Sequence, residues 1–230
     1  MGEETPKGEA PRADKFHREL EELKEKLLEL ARLAEGAIDR SLTAFWQADD
    51  DLARQVITGD KEINDREEAI DSECVRLIAL YQPVAIDLRQ VMAVDHIIAE
   101  LERIGDSATN IAEEVLNLKR YPLRPVHKDL PRMAEDVLEM LRQSLKAFLG
   151  RDTRLARQVC RADDEVDALD RAIIADLLKE MAAQQEAVPA GQCQINIVRN
   201  LERVGDHATN IAEQVVYMVE GESIRHRCQG

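Results

Sequence analysis

Leu101-Glu102-Arg103-Ile104-Gly105-Asp106-Ser107-Ala108-Thr109-Asn110-Ile111-Ala112-Glu113-Glu114-Val115 returns at residues 201–215 with 12 of its 15 residues unchanged. Its apolar positions, Leu101, Ile104, Ala108, Ile111 and Val115, alternate at intervals of three and four, which predicts one buried stripe on a long helix. The likeness extends upstream. Ser41-Leu42-x-Ala44-Phe45 returns as Ser144-Leu145-x-Ala147-Phe148, Leu52-Ala53-Arg54-Gln55-Val56 as Leu155-Ala156-Arg157-Gln158-Val159, and Asp60-x-Glu62 as Asp163-x-Glu165. Residues 81–100 and 181–200, by contrast, share only Ile97/Ile197. The chain is a duplication, and its most fully shared part is the helix with Glu-Arg-x-Gly-Asp.

Around that helix the periodicity predicts five more. Phe16, Leu20, Leu23, Leu27, Leu30, Ala34, Ile38, Leu42 and Phe45 form the stripe of a first helix. The Asp49–Asp51 cluster caps a second, running to about Leu80, where Gln82-Pro83 interrupts it. The third runs from about Asp87 to Lys119, and Tyr121-Pro122-Leu123-Arg124-Pro125 makes a linker. Helices over about 128–149, 153–185 and 192–220 follow, with Val188-Pro189-Ala190-Gly191 read as the break before the last. No segment alternates with period two, so no strand is expected. The predicted fold is all-α: two tandem antiparallel three-helix bundles related by internal duplication. Residues 1–14 are read as a flexible tail, 15–120 as the first bundle, 121–127 as a linker, 128–221 as the second bundle and 222–230 as a tail.

Composition narrows the function. The 230 residues carry 31 Lys and Arg against 46 Asp and Glu, a net charge of −15, with only three Phe, three Tyr and one Trp. Such a chain lacks both the positive charge and the stacking faces that nucleic acid requires. The longest apolar runs, Leu77–Tyr81 and Val215–Val219, are far shorter than the ~20 residues of a membrane span. The N-terminus has no apolar signal region, and Cys74, Cys160, Cys193 and Cys228 are too scattered for a zinc site or a disulfide framework. A cytoplasmic protein with reduced thiols is expected.

The shared helix carries the chemistry. Glu102 and Asp106, like Glu202 and Asp206, sit four residues apart and therefore one above the other on a helical face. On a heptad they fall outside the apolar stripe, together with Asp95, Thr109 and Glu113, on what reads as an outer face. Two like charges so spaced destabilise an isolated helix by a few tenths of a kcal/mol, and a mid-helix glycine by roughly 1 kcal/mol more. Gly105 and Gly205 repeat that penalty in both halves. A bound cation offsets the repulsion, and a glycine lets a neighbouring backbone or ion approach closely. The second helix of each bundle adds Asp60-x-x-x-Asn64 and Asp163-x-x-x-Asp167, with Asp170 one turn on. The candidate metal donors are thus Asp60, Glu102, Asp106 and Asn110 in the first half, and Asp163, Asp167, Glu202, Asp206 and Asn210 in the second. Oxygen donors without Cys or His favour hard cations, Mg, Mn, Ca or ferric Fe, over zinc. No Glu-x-x-His, phosphate loop or nucleophile motif occurs, so no enzyme is expected.

At Ala99–Asp106 and Arg199–Asp206 the chain resembles the PhoU family of bacterial phosphate-signalling regulators. The likeness spans Phe16–Gly221 and includes Phe16-His17-x-Glu19-Leu20, Val56-Ile57-x-Gly59-Asp60, Gln82-Pro83-x-x-x-Asp87-Leu88-Arg89 and Asn110-Ile111. The resemblance implies two three-helix bundles bearing surface metal sites of the Glu/Asp-x-x-x-Asp kind, often multinuclear iron. It also implies a cytosolic negative regulator of the phosphate-starvation response that couples a phosphate ABC transporter to a sensor histidine kinase, commonly as a homodimer. Asn64 departs from the family's acidic pattern, which makes the first-half site the weaker expectation. A metal-free scaffold of tandem three-helix repeats is the first alternative, and a carboxylate-bridged metalloenzyme the second. The segment Asp87–Val91 has no match in the second half, so Arg89, taken as outward-facing, is the expected contact for the kinase or the transporter ATPase.

Overall fold

A computed structural model describes residues 12–122 and 124–222. Six helices account for nearly all of them: α1 (Arg12–Gln47), α2 (Asp50–Tyr81), α3 (Ala85–Leu118), α4 (Leu130–Gly150), α5 (Thr153–Ala183) and α6 (Val188–Glu220), with a single 3-10 turn at Gln185–Ala187 and no strand among the described residues. The first three pack as one antiparallel bundle and the last three as another. Each stripe is buried as its period requires: Leu20, Leu23, Leu27 and Leu30 of α1 are at most 1 % exposed, and each contributes about 1.5–3 kcal/mol. Cys74, Cys160 and Cys193 are buried too, and burial pushes the Cys74 and Cys193 thiols up to about 12. Cys228, most of the N-terminal tail (1–11), Leu123 of the linker and residues 223–230 lie outside the described residues, while residues 12–14 of the expected tail are already helical.

The duplicated corners fold alike. The Asp49 carboxylate accepts from Leu52 N, and Asp152 accepts from Arg154 N and Leu155 N, so both second helices begin on an aspartate cap. Val188-Pro189-Ala190-Gly191 does not break the chain as expected. It is the first turn of α6, where proline lacks only an N–H that would have no intrahelical partner. The break falls earlier, at Gln184, whose backbone is extended (φ −137°, ψ 103°). Gly191 is buried here because α5 passes over it: a Cβ would lie 2.8 Å from Met181 Cγ and Sδ.

The bundles join along α3 and α6, which run antiparallel. Glu100 Oε2 accepts from Asn210 Nδ2 (3.0 Å) and meets His207 Nδ1 at 2.6 Å. Asn110 Nδ2 donates to Asn200 Oδ1 at 3.2 Å, and Asn196 Nδ2 to Glu114 Oε1 at 2.8 Å. Gln194, 4 % exposed, clamps the linker from α6 by accepting from His127 N (3.0 Å) and donating to Pro125 O (3.1 Å).

Candidate metal centres

Asp106 and Asp206 are exposed, and Glu102, Glu202, Asp60 and Asp163 are half-buried. They line the groove between the second and third helix of each bundle. In the first half, Gly105 lets α2 come close: a Cβ there would fall 2.9 Å from Ile63 Cδ1 and 3.4 Å from Asp60 Oδ1. Asp60 is thereby held beside Glu102 and Asp106. Burial first, then Asp106, Glu67 and Asp60, raise the Glu102 carboxyl above its ordinary range. Burial and Asp60 raise Asp106 likewise. Asn64 Nδ2 donates to Asp60 Oδ2 at 3.2 Å, so the amide that replaces a carboxylate partly neutralises its neighbour. Further along the groove, Glu67 is raised by burial and by Asp71, Glu68 and Asp95, and Asp95 by burial and its hydrogen bond with Asp71.

The second half repeats the arrangement with greater crowding. Asp163 Oδ1 stands 3.5 Å from where a Cβ on Gly205 would lie. Its carboxyl is pushed up to about 7 by burial and then by Asp206, Asp167, Asp164 and Glu202. Glu202 and Asp206 are raised by burial and by the same cluster, Glu202 through Asp206, Asp170 and Asp167, and Asp206 through Asp167.

Five side-chain oxygens on the two groove-lining helix pairs are buried without a hydrogen-bond partner: Asp60 Oδ1, Asn64 Oδ1 and Thr109 Oγ1 in the first half, Asp170 Oδ1 and Thr209 Oγ1 in the second. A buried oxygen left unpaired costs about 1–3 kcal/mol, and all five are donor types for a hard cation. The carboxylates feel one another strongly, yet among the described residues no three His, Cys, Asp or Glu side chains converge closely enough to hold one ion. The donor set fits a hard cation in kind, and side-chain rotation is needed to gather it.

Asn110 and Asn210 are drawn elsewhere, to Asn200 and Glu100 in the seam between α3 and α6. Four residues past Asp106 or Asp206 the helix has turned a further ~40°, enough to pass from groove to seam. Thr109 and Thr209, at seven residues from Glu102 and Glu202, stay nearer the groove face; Glu67 and Asp170, at seven from Asp60 and Asp163, do the same on α2 and α5. Sequence reasoning placed Thr109 on the acidic face and Asp170 one turn on, but took neither as a donor, and it missed Glu67. Arg89 is not the outward-facing side chain expected of it. Its Nε donates to Met218 O at 3.1 Å, and its guanidinium lies against Gly221 (φ +76°), capping the last turn of α6. An arginine at a helix C-terminus meets carbonyls that have no intrahelical partner, so it is spent inside the molecule.

A tandem pair of three-helix bundles, each with a glycine-centred acidic groove between its second and third helices, defines a duplicated, carboxylate-bearing helical protein. The sequence matches the PhoU domain over residues 27–115 and again over 130–215, one copy per bundle. It is 36 % identical over 211 residues to the "Phosphate-specific transport system accessory protein PhoU" of Escherichia coli K12, covering 92 % of this chain and 88 % of that one. Its identity to the "Phosphate-specific transport system accessory protein PhoU homolog" of Aquifex aeolicus is 38 % over 213 residues, 93 % of this chain and 96 % of that one. The crystal structure of PhoU from Pseudomonas aeruginosa superposes with a TM-score of 0.87 at 35 % identity, over 90 % of this chain and 100 % of that one. That of the phosphate transport system regulatory protein PhoU from Streptococcus pneumoniae gives 0.85 at 33 %, over 90 % and 98 %. The chain belongs to the PhoU family.

Proposed function

We propose that this protein is an accessory regulator of a phosphate-specific transport system, a cytoplasmic protein that restrains the phosphate-starvation response and phosphate uptake by docking rather than by turnover. The observation that carries the reading is the 36 % identity across 92 % of the chain to a relative named as that system's accessory protein. The ATPase of the phosphate transporter and a sensor histidine kinase are the partners it would hold, as a homodimer. No described helix is long and apolar enough to cross a membrane.

The two acidic grooves are the proposed cation sites. Asp60 and Glu67 of α2, with Glu102, Asp106 and Thr109 of α3, form one donor set; Asp163, Asp167 and Asp170 of α5, with Glu202, Asp206 and Thr209 of α6, form the other. Bound there, a hard cation such as Mn, Mg, Ca or ferric Fe supplies the positive charge that offsets carboxylate repulsion. The carboxylates on two helices then favour one spacing of those helices, and α3 and α6 carry that spacing into the seam. A second reading, a cation-free helical scaffold, is favoured by the failure of the side chains to converge; equilibrium dialysis against Mn²⁺ separates the two.

The regulatory reading is tested in a deletion strain carrying a phosphate-starvation reporter. With ample phosphate the reporter should stay switched on and return to repression when the gene is restored. Normal repression in the deletion strain defeats it.

A further inference from the structure

The two grooves share a duplicated frame but differ in their fixed charges: Asp167, Arg171 and Arg199 of the second stand where the first has Asn64, Glu68 and Ala99. In the second, Arg199 Nη1 donates to Asp170 Oδ2 at 2.9 Å, and Asp170 is only 3 % exposed. The other oxygen, Asp170 Oδ1, is buried without a hydrogen-bond partner, on the flank of α5 that also carries Asp163 and Asp167. Arg199 lies three residues before Glu202 and acts on it, opposing the push of Asp206, Asp170 and Asp167. In the first groove the residue matching Arg199 is Ala99 and the residue matching Asp170 is Glu67. The charges acting on Glu67 are the carboxylates Asp71, Glu68 and Asp95.

A buried carboxylate is tolerable only beside a compensating positive charge. The second groove seats that charge on Asp170, whereas in the first the nearest arginine, Arg103, acts on Glu102 and none acts on Glu67. We propose that Arg199 is a resident counter-cation of the second groove, seated on Asp170 so that a divalent cation arriving at Asp163, Asp167, Glu202 and Asp206 meets its charge already in place, beside that of Arg171 held on Asp167 Oδ2 at 3.1 Å. The guanidinium lowers the affinity of this groove for the incoming ion and ties up one oxygen of the donor set. Its absence leaves Glu67 of the first groove to be neutralised by the ion. Two sites of common descent are thereby set to different cation affinities. The inference rests on the cation reading given above.

The test is a titration of the full chain, stripped with a chelator, with Mn²⁺ as the probe. Each groove is isolated by silencing the other with Glu102→Ala/Asp106→Ala or Glu202→Ala/Asp206→Ala. Arg199→Gln should tighten the second groove about tenfold, and Arg199→Lys, which keeps the charge, should change it less than about threefold. Ala99→Arg should plant the device in the first groove and weaken it there by about tenfold. Because Arg199→Gln could also disturb folding by leaving Asp170 buried and unpaired, Ala99→Arg carries the test independently. Unchanged or weaker second-groove binding in a folded Arg199→Gln variant, or an unchanged first groove in Ala99→Arg, overturns the proposal while leaving the cation reading intact. No Mn²⁺ uptake by either groove of the unmodified protein overturns both.

Discussion

At Gly105 an added methyl group would meet Ile63 Cδ1 at 2.9 Å, whereas at Gly205 the nearest atoms, Asp163 Oδ1 and Val166 Cγ1, stand 3.5 Å away. The two glycines occupy the same place in a nearly identical stretch of helix, but only the first is required by packing. The difference comes from the facing helix, where the first half presents Ile63 and the second Val166. Charge differs as the packing does. The first groove has an amide at Asn64 and no arginine at position 99; the second has a full carboxylate at Asp167 and Arg199 opposite Asp170. A repeated motif therefore fixes which atoms are offered, while its neighbours decide what those atoms can do.

The sharpest way to break the comparison is to empty one groove at a time. Changing Glu202 and Asp206 together to Ala should abolish Mn²⁺ binding in the second groove and leave the first untouched, and Glu102→Ala/Asp106→Ala should do the reverse. Helicity by circular dichroism should persist in both, because all four side chains lie outside the buried stripes. Unchanged metal stoichiometry in both double variants would remove the grooves from consideration. Next in size is the pair of glycines. Gly105→Ala should destabilise the fold by about 1–3 kcal/mol through overpacking against Ile63. Gly205→Ala should be neutral or stabilise it by up to about 1 kcal/mol, since a Cβ there makes only ordinary contacts, at 3.5 Å or more, and alanine favours the helix. Urea denaturation of the two variants reads both signs, and equal destabilisation would erase the steric distinction.

The smallest effect is one of pH. Asp163 is held near 7 in the folded chain and returns to an ordinary carboxylate value, ~3.9, on unfolding. Between those values the folded state binds more protons than the unfolded one, so stability declines as pH rises from about 4 to about 7. Glu202 and Asp206 are raised as well and act in the same direction. In chelator, melting temperature should therefore rise by on the order of 5 °C between pH 8 and pH 5.5. Asp163→Asn should flatten that slope. A melting temperature that falls on mild acidification would show that other groups dominate.

Much of this architecture is legible without coordinates. Heptads of Leu and Ile fix the six helices, and the offset repeat divides them three and three. Aspartates at 49 and 152 mark the corners because their side chains satisfy N–H groups that any helix start leaves open. Pro189 misleads, since proline both terminates helices and begins them; only the extended Gln184 before it tells which. In the grooves, spacing alone brings Glu102 to Asp106 and Asp60 within reach of both. It does not show that Asn110, Asn210 and Arg89 are claimed by another helix, because a heptad describes one helix and its own core. The seam between α3 and α6 joins residues 82 to 110 positions apart, and no local pattern announces it.

That seam bears on how the molecule is made. A chain emerging N-terminus first completes α1–α3 about a hundred residues before α6 exists, and α3 must wait with one flank bare. Intermediates that wait with apolar surface exposed are prone to aggregate. The bare flank of α3, however, presents Glu100, Asn110 and Glu114, side chains that water satisfies while Asn210, Asn200 and Asn196 are still unmade. The half-built chain can stay dispersed while synthesis continues, and Gln194, emerging at the start of α6, fastens the linker before the rest of the seam closes.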